Sequence, residues 1–152
     1  MDKNCWQTPE YILKLVAEFF GEDYFDPCPI NPDFDGLDIS WHSQCFINPP
    51  YSRGEIERWS NKAKKEFLDS AKSEFIWLIN YGCTSNRKDI KKLSTALCEP
   101  NRRISFLHPE TGHAVPGNDR DSILYYWGNR PSEFCSVFQK LGITAIRPTT
   151  PF

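Results

Sequence analysis

The sequence predicts a single α/β domain over residues 1–152, with a mostly parallel sheet and a C-terminal hairpin. The chain has the length of one domain and shows no internal repeat or linker. Short apolar runs alternate with longer amphipathic segments, as strands alternate with crossover helices in parallel sheets. Near the end, two strand-like runs follow each other without a helix between them, and this order predicts the hairpin.

Four helices are predicted from apolar residues spaced three and four positions apart. Thr8 is the expected N-cap of the first helix, Pro9 its first residue and Gly21 its C-terminal stop. The other three helices are expected from Gly54 to about Lys72, from Ser85 to about Leu97, and from Pro131 to Leu141.

The predicted strands are the short segments rich in apolar and β-branched residues. They cover residues 24–25, 45–48, 75–79, 103–107, 122–127 and 144–146. Two polar segments, 27–42 and 108–121, remain as long loops. Because loops of this length in compact domains often carry function, both are candidate binding segments.

The composition favours a globular intracellular protein. Five Trp, six Tyr and eleven Phe supply a core, and the six cysteines are scattered, with no C-x-x-C pair. This pattern argues against a zinc site and for reduced thiols, so we expect no bound metal. We also expect a cytoplasmic protein, since neither a signal peptide nor an apolar run of membrane-spanning length is found.

The charge is unevenly distributed although the net charge is only −2. Residues 1–52 hold two Lys/Arg and nine Asp/Glu, whereas residues 53–103 hold twelve Lys/Arg and seven Asp/Glu. A basic middle segment could face a polyanion, and solvated helix faces explain the same pattern equally well.

The turn Asn48-Pro49-Pro50-Tyr51, which follows the apolar run 45–47, carries the strongest chemical signal. The two prolines fix a bend at the end of a strand, where α/β sheets bind ligands. The Asn48 side-chain oxygen and the Pro49 carbonyl can accept both N–H groups of an aromatic amine and thereby free its lone pair. Tyr51 can stack on the ring, a contact worth roughly 1–3 kcal/mol. A rigid loop with a packed tyrosine is the structural alternative.

Other candidates have plausible structural roles as well. Asp26 could pair with a cationic ligand or serve as a turn residue before proline. Thr8 and Pro9 could offer helix N–H groups to a carboxylate or merely begin a helix. Asp35 and Asp38 could bind ribose hydroxyls or be solvated. The three histidines, His42, His108 and His113, show no metal or triad spacing.

Three segments in this order resemble the phage DNA N-6-adenine methyltransferase family: Trp6-Gln7-Thr8-Pro9, Phe25-Asp26-Pro27-Cys28, and Phe46 to Ser52. The resemblance continues to Gly142. It implies an abridged Rossmann-type fold and methyl transfer from S-adenosylmethionine to the 6-amino group of adenine in DNA. It also implies a phage or prophage protein in a bacterial cytosol. From the size of the chain and the lack of a membrane-spanning run, we expect a monomer or weak homodimer without membrane contact.

The resemblance assigns roles to individual positions, and the loops and charges add others. The catalytic turn comprises Asn48, Pro49, Pro50 and Tyr51. The cofactor site comprises Trp6, Thr8, Pro9, Asp26, Pro27 and Cys28, with Asp35 as a candidate ribose ligand. Predicted DNA contacts are Arg53, Lys88, Lys91, His113 and Arg120, and the loop 108–121 is the candidate target-recognition loop.

The chain departs from the usual methyltransferase pattern near Asp26. No glycine-rich turn follows this residue, and only about twenty residues separate it from Asn48, too few for two further strand–helix units. We therefore expect an abridged sheet. Two alternatives remain at this stage: methylation of another amine (cytosine, an RNA base or a protein glutamine), or a catalytically degenerate protein that binds S-adenosylmethionine or nucleic acid.

Overall fold

The computed structural model describes residues 7–29, 32–50, 54–80, 84–108, 110–114 and 121–148, and the side chains of 84–88 are excluded from this description. Within these ranges the protein is a mixed α/β domain with five strands and four helices. The elements are α1 (Glu10–Phe20), β1 (Gln44–Ile47), α2 (Glu55–Leu68), β2 (Glu74–Asn80), α3 (Thr84–Leu93), β3 (Ala96–Pro100), β4 (Ser122–Trp127), α4 (Pro131–Phe138) and β5 (Gly142–Ile146).

The prediction of a mostly parallel sheet is wrong. The strand order is β1-β2-β4-β3-β5; β1 pairs with β2 in parallel, and the pairs β2–β4, β4–β3 and β3–β5 are antiparallel. The crossover helices do join strands of like direction, since β1, β2 and β3 run one way and β4 and β5 the other. The strands interleave, however, so β4 separates β2 from β3, and β3 separates β4 from β5.

The predicted end of the third helix and the predicted strand at residues 103–107 are also wrong. The third helix ends at Leu93 instead of Leu97, and residues 96–100 form β3. Thr95 N–H donates to the Tyr126 carbonyl at 2.8 Å, so the chain joins the sheet directly after Ser94. The segment 103–107 is not a regular strand, and the predicted hairpin with 122–127 does not form, because β4 pairs with β2 and β3 instead.

Helices cover both faces of the sheet. Ile76 and Leu78 of β2 pack in a cluster with α1 and α4, which includes Phe134. The alternating residues Trp77 and Ile79 pack on the other face with α2 and α3. This period-two alternation with apolar residues on both faces is expected of a central strand in a three-layer domain. No helix in the described ranges is long and apolar enough to cross a membrane.

The two ends of the sheet differ in chemistry. At one end, called the Asn48 end, Ile47, Asn80 and Pro100 finish their strands and Ser122 begins β4. At the other, called the Glu74 end, the Glu74 carboxylate accepts hydrogen bonds from Gln44 Nε2, Tyr126 OH and the Arg130 guanidinium. The Arg130 guanidinium also lies 4.2 Å from the centre of the Phe19 ring.

Candidate active site

Asn48 follows the buried residues of β1 at the Asn48 end of the sheet. Pro49 is buried and Pro50 half-buried. Because neither proline has a backbone N–H, the chain cannot continue regular pairing with β2 here. The structure agrees with the predicted strand before Asn48 and the predicted helix after Gly54, and Tyr51 and Arg53 lie outside the described residues.

The Asn48 side chain is anchored by Thr8. Its Nδ2 donates a hydrogen bond of 2.9 Å to Thr8 Oγ1, and Thr8 is 7% exposed. The prediction of Thr8 as N-cap is wrong: α1 begins at Glu10 after Pro9, without a side-chain cap. The hydroxyl group instead holds the amide group of a residue forty positions away, which restricts the orientation of the Asn48 carbonyl oxygen.

Asp26 reaches the same end of the sheet on the outer side of β1. Phe25 forms a parallel bridge with Cys45, with hydrogen bonds of 2.9 Å from Phe25 N–H to Gln44 and from Phe46 N–H to Phe25. Asp26 therefore emerges beside β1 in the same direction as Asn48. Its Oδ1 accepts the Cys28 N–H at 2.9 Å. Burial raises the pKa of Asp26 to about 6, and the Cys28 hydrogen bond opposes this rise only partly.

The loop after Asp26 folds back onto the Asp26 turn through Gly36, a residue not singled out from the sequence. A Cβ atom on Gly36 would lie 1.9 Å from the Pro27 carbonyl oxygen, so only glycine allows this approach. The Trp41 indole N–H donates to the Gly36 carbonyl at 2.7 Å and fixes the loop. Asp35 precedes Gly36 and is exposed, with its Oδ1 accepting the Leu37 N–H at 2.9 Å.

A short hairpin at the start of the second polar loop pairs with Gln7, the residue before Thr8. Leu107 exchanges two backbone hydrogen bonds of 2.8 Å with Gln7 and forms a further bridge with Ala114. The loop 108–121 therefore begins directly after a residue that pairs with Gln7, the neighbour of Thr8 in the chain, and Ala114 lies on the other side of Leu107. His113 is exposed in this hairpin, whereas Trp6 and Arg120 lie outside the described residues.

The family model for DNA N-6-adenine-methyltransferase (Dam) matches residues 1–143. The chain belongs to this family. It is therefore an adenine-specific DNA methyltransferase, and family membership implies use of S-adenosylmethionine. This match decides for adenine in DNA over the other amines considered above. Among curated proteins, no sequence matches the chain.

The described residues of this methyltransferase fit a cofactor that carries both a cation and a carboxylate. Asp26 is a poorly solvated carboxylate, and a neighbouring positive charge would lower its raised pKa. Thr8 and Pro9 directly precede α1, whose first N–H groups favour anions. Both features lie at the Asn48 end of the sheet: Asp26 follows the bridge at the outer edge of β1, and Thr8 is hydrogen-bonded to Asn48.

The basic helix of this methyltransferase extends away from Asn48. α3 begins four residues after Asn80 at the Asn48 end and finishes at Leu93, shortly before Ala96, which pairs with Tyr126 in the Glu74 half of the sheet. Lys91 is exposed in its last turn, roughly 10 Å along the helix from its start. Lys88 lies on the same helix, and its side chain is outside the described residues.

Two further polar side chains at the Asn48 end were missed by sequence reasoning. Asn80 and Ser122 are cross-strand partners in β2 and β4. The Asn80 Oδ1 and the Ser122 Oγ are buried and have no hydrogen-bond partner within the described part of the chain. Their sequence signal was weak: Asn80 is the first polar residue after the apolar run 75–79, and Ser122 directly follows the polar loop.

Proposed function

We propose that this DNA adenine methyltransferase binds S-adenosylmethionine between Thr8 and Asp26, and that Asn48 receives the target adenine beside it. The observation that carries the proposal is the Asn48–Thr8 hydrogen bond, which joins the catalytic turn to the start of α1 at the end of β1 next to Asp26. When bound, the cofactor supplies an electrophilic methyl group on a sulfonium centre. The domain would be an abridged Rossmann-type fold spanning the whole chain.

The proposed cofactor residues form two groups, one for the carboxylate of the cofactor and one for its ammonium group. Thr8 and Pro9, with Trp6 before them, would hold the carboxylate at the start of α1. Asp26 would pair with the ammonium group, since a cation stabilises a carboxylate that burial disfavours. Pro27 and Cys28 shape the turn that holds Asp26, and Asp35 would bind the ribose hydroxyls from the exposed loop.

On the substrate side, the catalytic turn supplies acceptors and a stacking surface. The Asn48 Oδ1 and the Pro49 carbonyl would accept the two N–H groups of the adenine amine, and the nitrogen would become more tetrahedral with its lone pair available. Tyr51 would stack on the base, and Pro50 keeps the turn rigid. Most of the rate gain would come from positioning, which can lower a barrier by roughly 7–11 kcal/mol.

The adenine would be flipped out of the DNA into this site, at a cost of a few kcal/mol in unstacking. The loop 108–121, with His113 and Arg120, is the proposed target-recognition loop because it directly follows Leu107, which pairs with Gln7, the residue before Thr8. Arg53, directly after the catalytic turn, and Lys88 would contact phosphates. Lys91 would contact only DNA that extends toward the Glu74 end.

Replacing Asn48 tests this proposal directly. Asn48→Ala should abolish methylation, because the amine loses one of its two acceptors, while S-adenosylmethionine still binds. The measurements are nucleoside mass spectrometry of DNA from expressing cells and calorimetry with the cofactor. Asn61→Ala, at an exposed position of α2, is the matched control. An Asn48→Ala enzyme that methylates adenine at the wild-type rate would refute the mechanism.

A further inference from the structure

A cleft of about 210 Å³ opens at the Asn48 end of the sheet, between the end of β3 and the start of β4. The proposed catalytic and cofactor residues do not line it. Its polar lining consists of Glu99, Asn101, Arg102, Arg103, Asp121 and Ser122. Its position is set by the strand order, because β4 lies next to β2 and β3 lies beyond it.

Two arginines make the cleft suitable for binding an anion. Arg102 is exposed and forms no ion pair with another described residue. Arg103 Nε donates to Asp121 Oδ1 at 3.1 Å, and the two side chains are 56% and 70% exposed. Because exposed ion pairs contribute only about 0–1 kcal/mol, Arg103 can exchange Asp121 for another anion at little cost. The planar guanidinium group is suited to binding phosphate through two parallel hydrogen bonds.

Ser122 provides an independent observation in the same cleft. The residue is 5% exposed, and its buried hydroxyl has no hydrogen-bond partner in the described part of the chain. A buried polar group without a partner is unfavourable, so an acceptor at this position would be stabilising. A phosphate oxygen is such an acceptor, as is the Asn80 Oδ1 of the cross-strand neighbour, which is also buried without a partner in the described part of the chain.

The cleft lies within reach of DNA engaged at Asn48. Three strand intervals separate β1 from β3, and at about 4.8 Å each they amount to roughly 14 Å. This is less than half of a DNA helical turn, which is about 34 Å long. We propose that Arg102 and Arg103 bind a backbone phosphate of the DNA whose adenine enters at Asn48, and that Asp121 holds Arg103 until DNA replaces it. The inference rests on DNA being the substrate.

Binding to a fluorescein-labelled DNA duplex of about two helical turns tests this inference. The duplex sequence can be arbitrary, because phosphate contacts are independent of sequence. Arg102→Gln and Arg103→Gln should each weaken binding about fivefold near physiological salt and reduce the slope of log K against log salt by up to about 0.9, the value for one phosphate contact. Asp121→Asn should tighten binding about twofold, since it releases Arg103 and removes a negative charge.

Lys72→Gln is the matched control, because it removes an exposed positive charge at the Glu74 end. It should leave the salt slope unchanged. The inference is overturned if both arginine variants keep the wild-type slope, if Lys72→Gln lowers the slope as much as they do, or if Asp121→Asn fails to tighten binding. Wild-type enzyme that binds no duplex would instead count against DNA as the substrate. Normal binding and methylation with unaffected arginine variants would count against the cleft alone.

Discussion

Asp26 and Glu74 are two partly or fully buried carboxylates at opposite ends of the same sheet, and they have opposite pKa shifts. Burial raises the pKa of Asp26 to about 6, with one opposing hydrogen bond from Cys28. Burial also acts to raise the pKa of Glu74, but hydrogen bonds from Arg130, Tyr126 and Gln44, together with the Arg130 charge, bring it below the usual value.

The difference shows which of the two carboxylates has its negative charge compensated by other groups of the protein. Glu74 has a cation and neutral donors, so its charge is compensated in the folded chain. Asp26 is held in a poorly solvated place, and no cation among the described residues compensates its charge, which is unfavourable for folding and favourable for binding a positively charged ligand. A carboxylate thus stabilises the fold at one end of the sheet, whereas at the other end the carboxylate has the properties expected of the proposed cofactor site.

The largest expected effect is on the Glu74 side. Glu74→Ala should lower the free energy of unfolding by roughly 3 kcal/mol, because Arg130 and Tyr126 lose their shared acceptor in a mostly buried position. Urea denaturation followed by circular dichroism measures the loss. Glu22→Ala, at an exposed turn, is the control and should change stability by less than about 0.5 kcal/mol. If Glu74→Ala and Glu22→Ala lowered the free energy of unfolding equally, the Glu74 carboxylate would have no special role in stability, and the contrast with Asp26 would be lost.

Asp26→Asn should stabilise the protein at pH 8, in contrast to the destabilising Glu74→Ala. The folded pKa of Asp26 lies above its ordinary value of 3.8, so the folded state binds the proton more tightly. The wild type therefore loses stability as the pH rises from about 4 to about 6, by up to about 3 kcal/mol, and the loss persists at higher pH. Asp26→Asn removes this loss, so unfolding at pH 8 should require more urea than for the wild type.

The same substitution should weaken cofactor binding roughly tenfold or more, since a charged hydrogen bond is worth about 1.5–3 kcal/mol. Calorimetry with S-adenosylmethionine and with its demethylated product distinguishes the cation involved, because the product keeps the ammonium group and lacks the sulfonium. We expect a similar loss for both ligands. A variant that is less stable at pH 8 and binds both ligands normally would show that Asp26 is a structural turn residue.

The sequence indicated the Asn48 end better than it indicated the sheet. Asn48, Pro49 and Asp26 were located because prolines and strand ends are local signals. The interleaving of β3 and β4 was not predicted. The alternation of strands and helices along the chain determines the direction of the strands but leaves open which strands become neighbours. The contacts of Thr8 with Asn48 and of Gly36 with Pro27 were missed for a related reason: each links residues distant in the chain through one atom, without any periodic pattern.

Thr8→Val gives the smallest expected effect and tests the anchoring of the catalytic amide. Valine keeps the shape of threonine but removes the Thr8 hydroxyl that accepts the Asn48 Nδ2 hydrogen bond of 2.9 Å. The loss of one hydrogen bond, about 1 kcal/mol, should lower kcat roughly fivefold, whereas Thr8→Ser should retain most of the activity. Because Thr8 forms no capping bond to α1, the lost hydroxyl should reduce turnover more than helix stability. Wild-type kcat in Thr8→Val would mean that the turn orients Asn48 without Thr8.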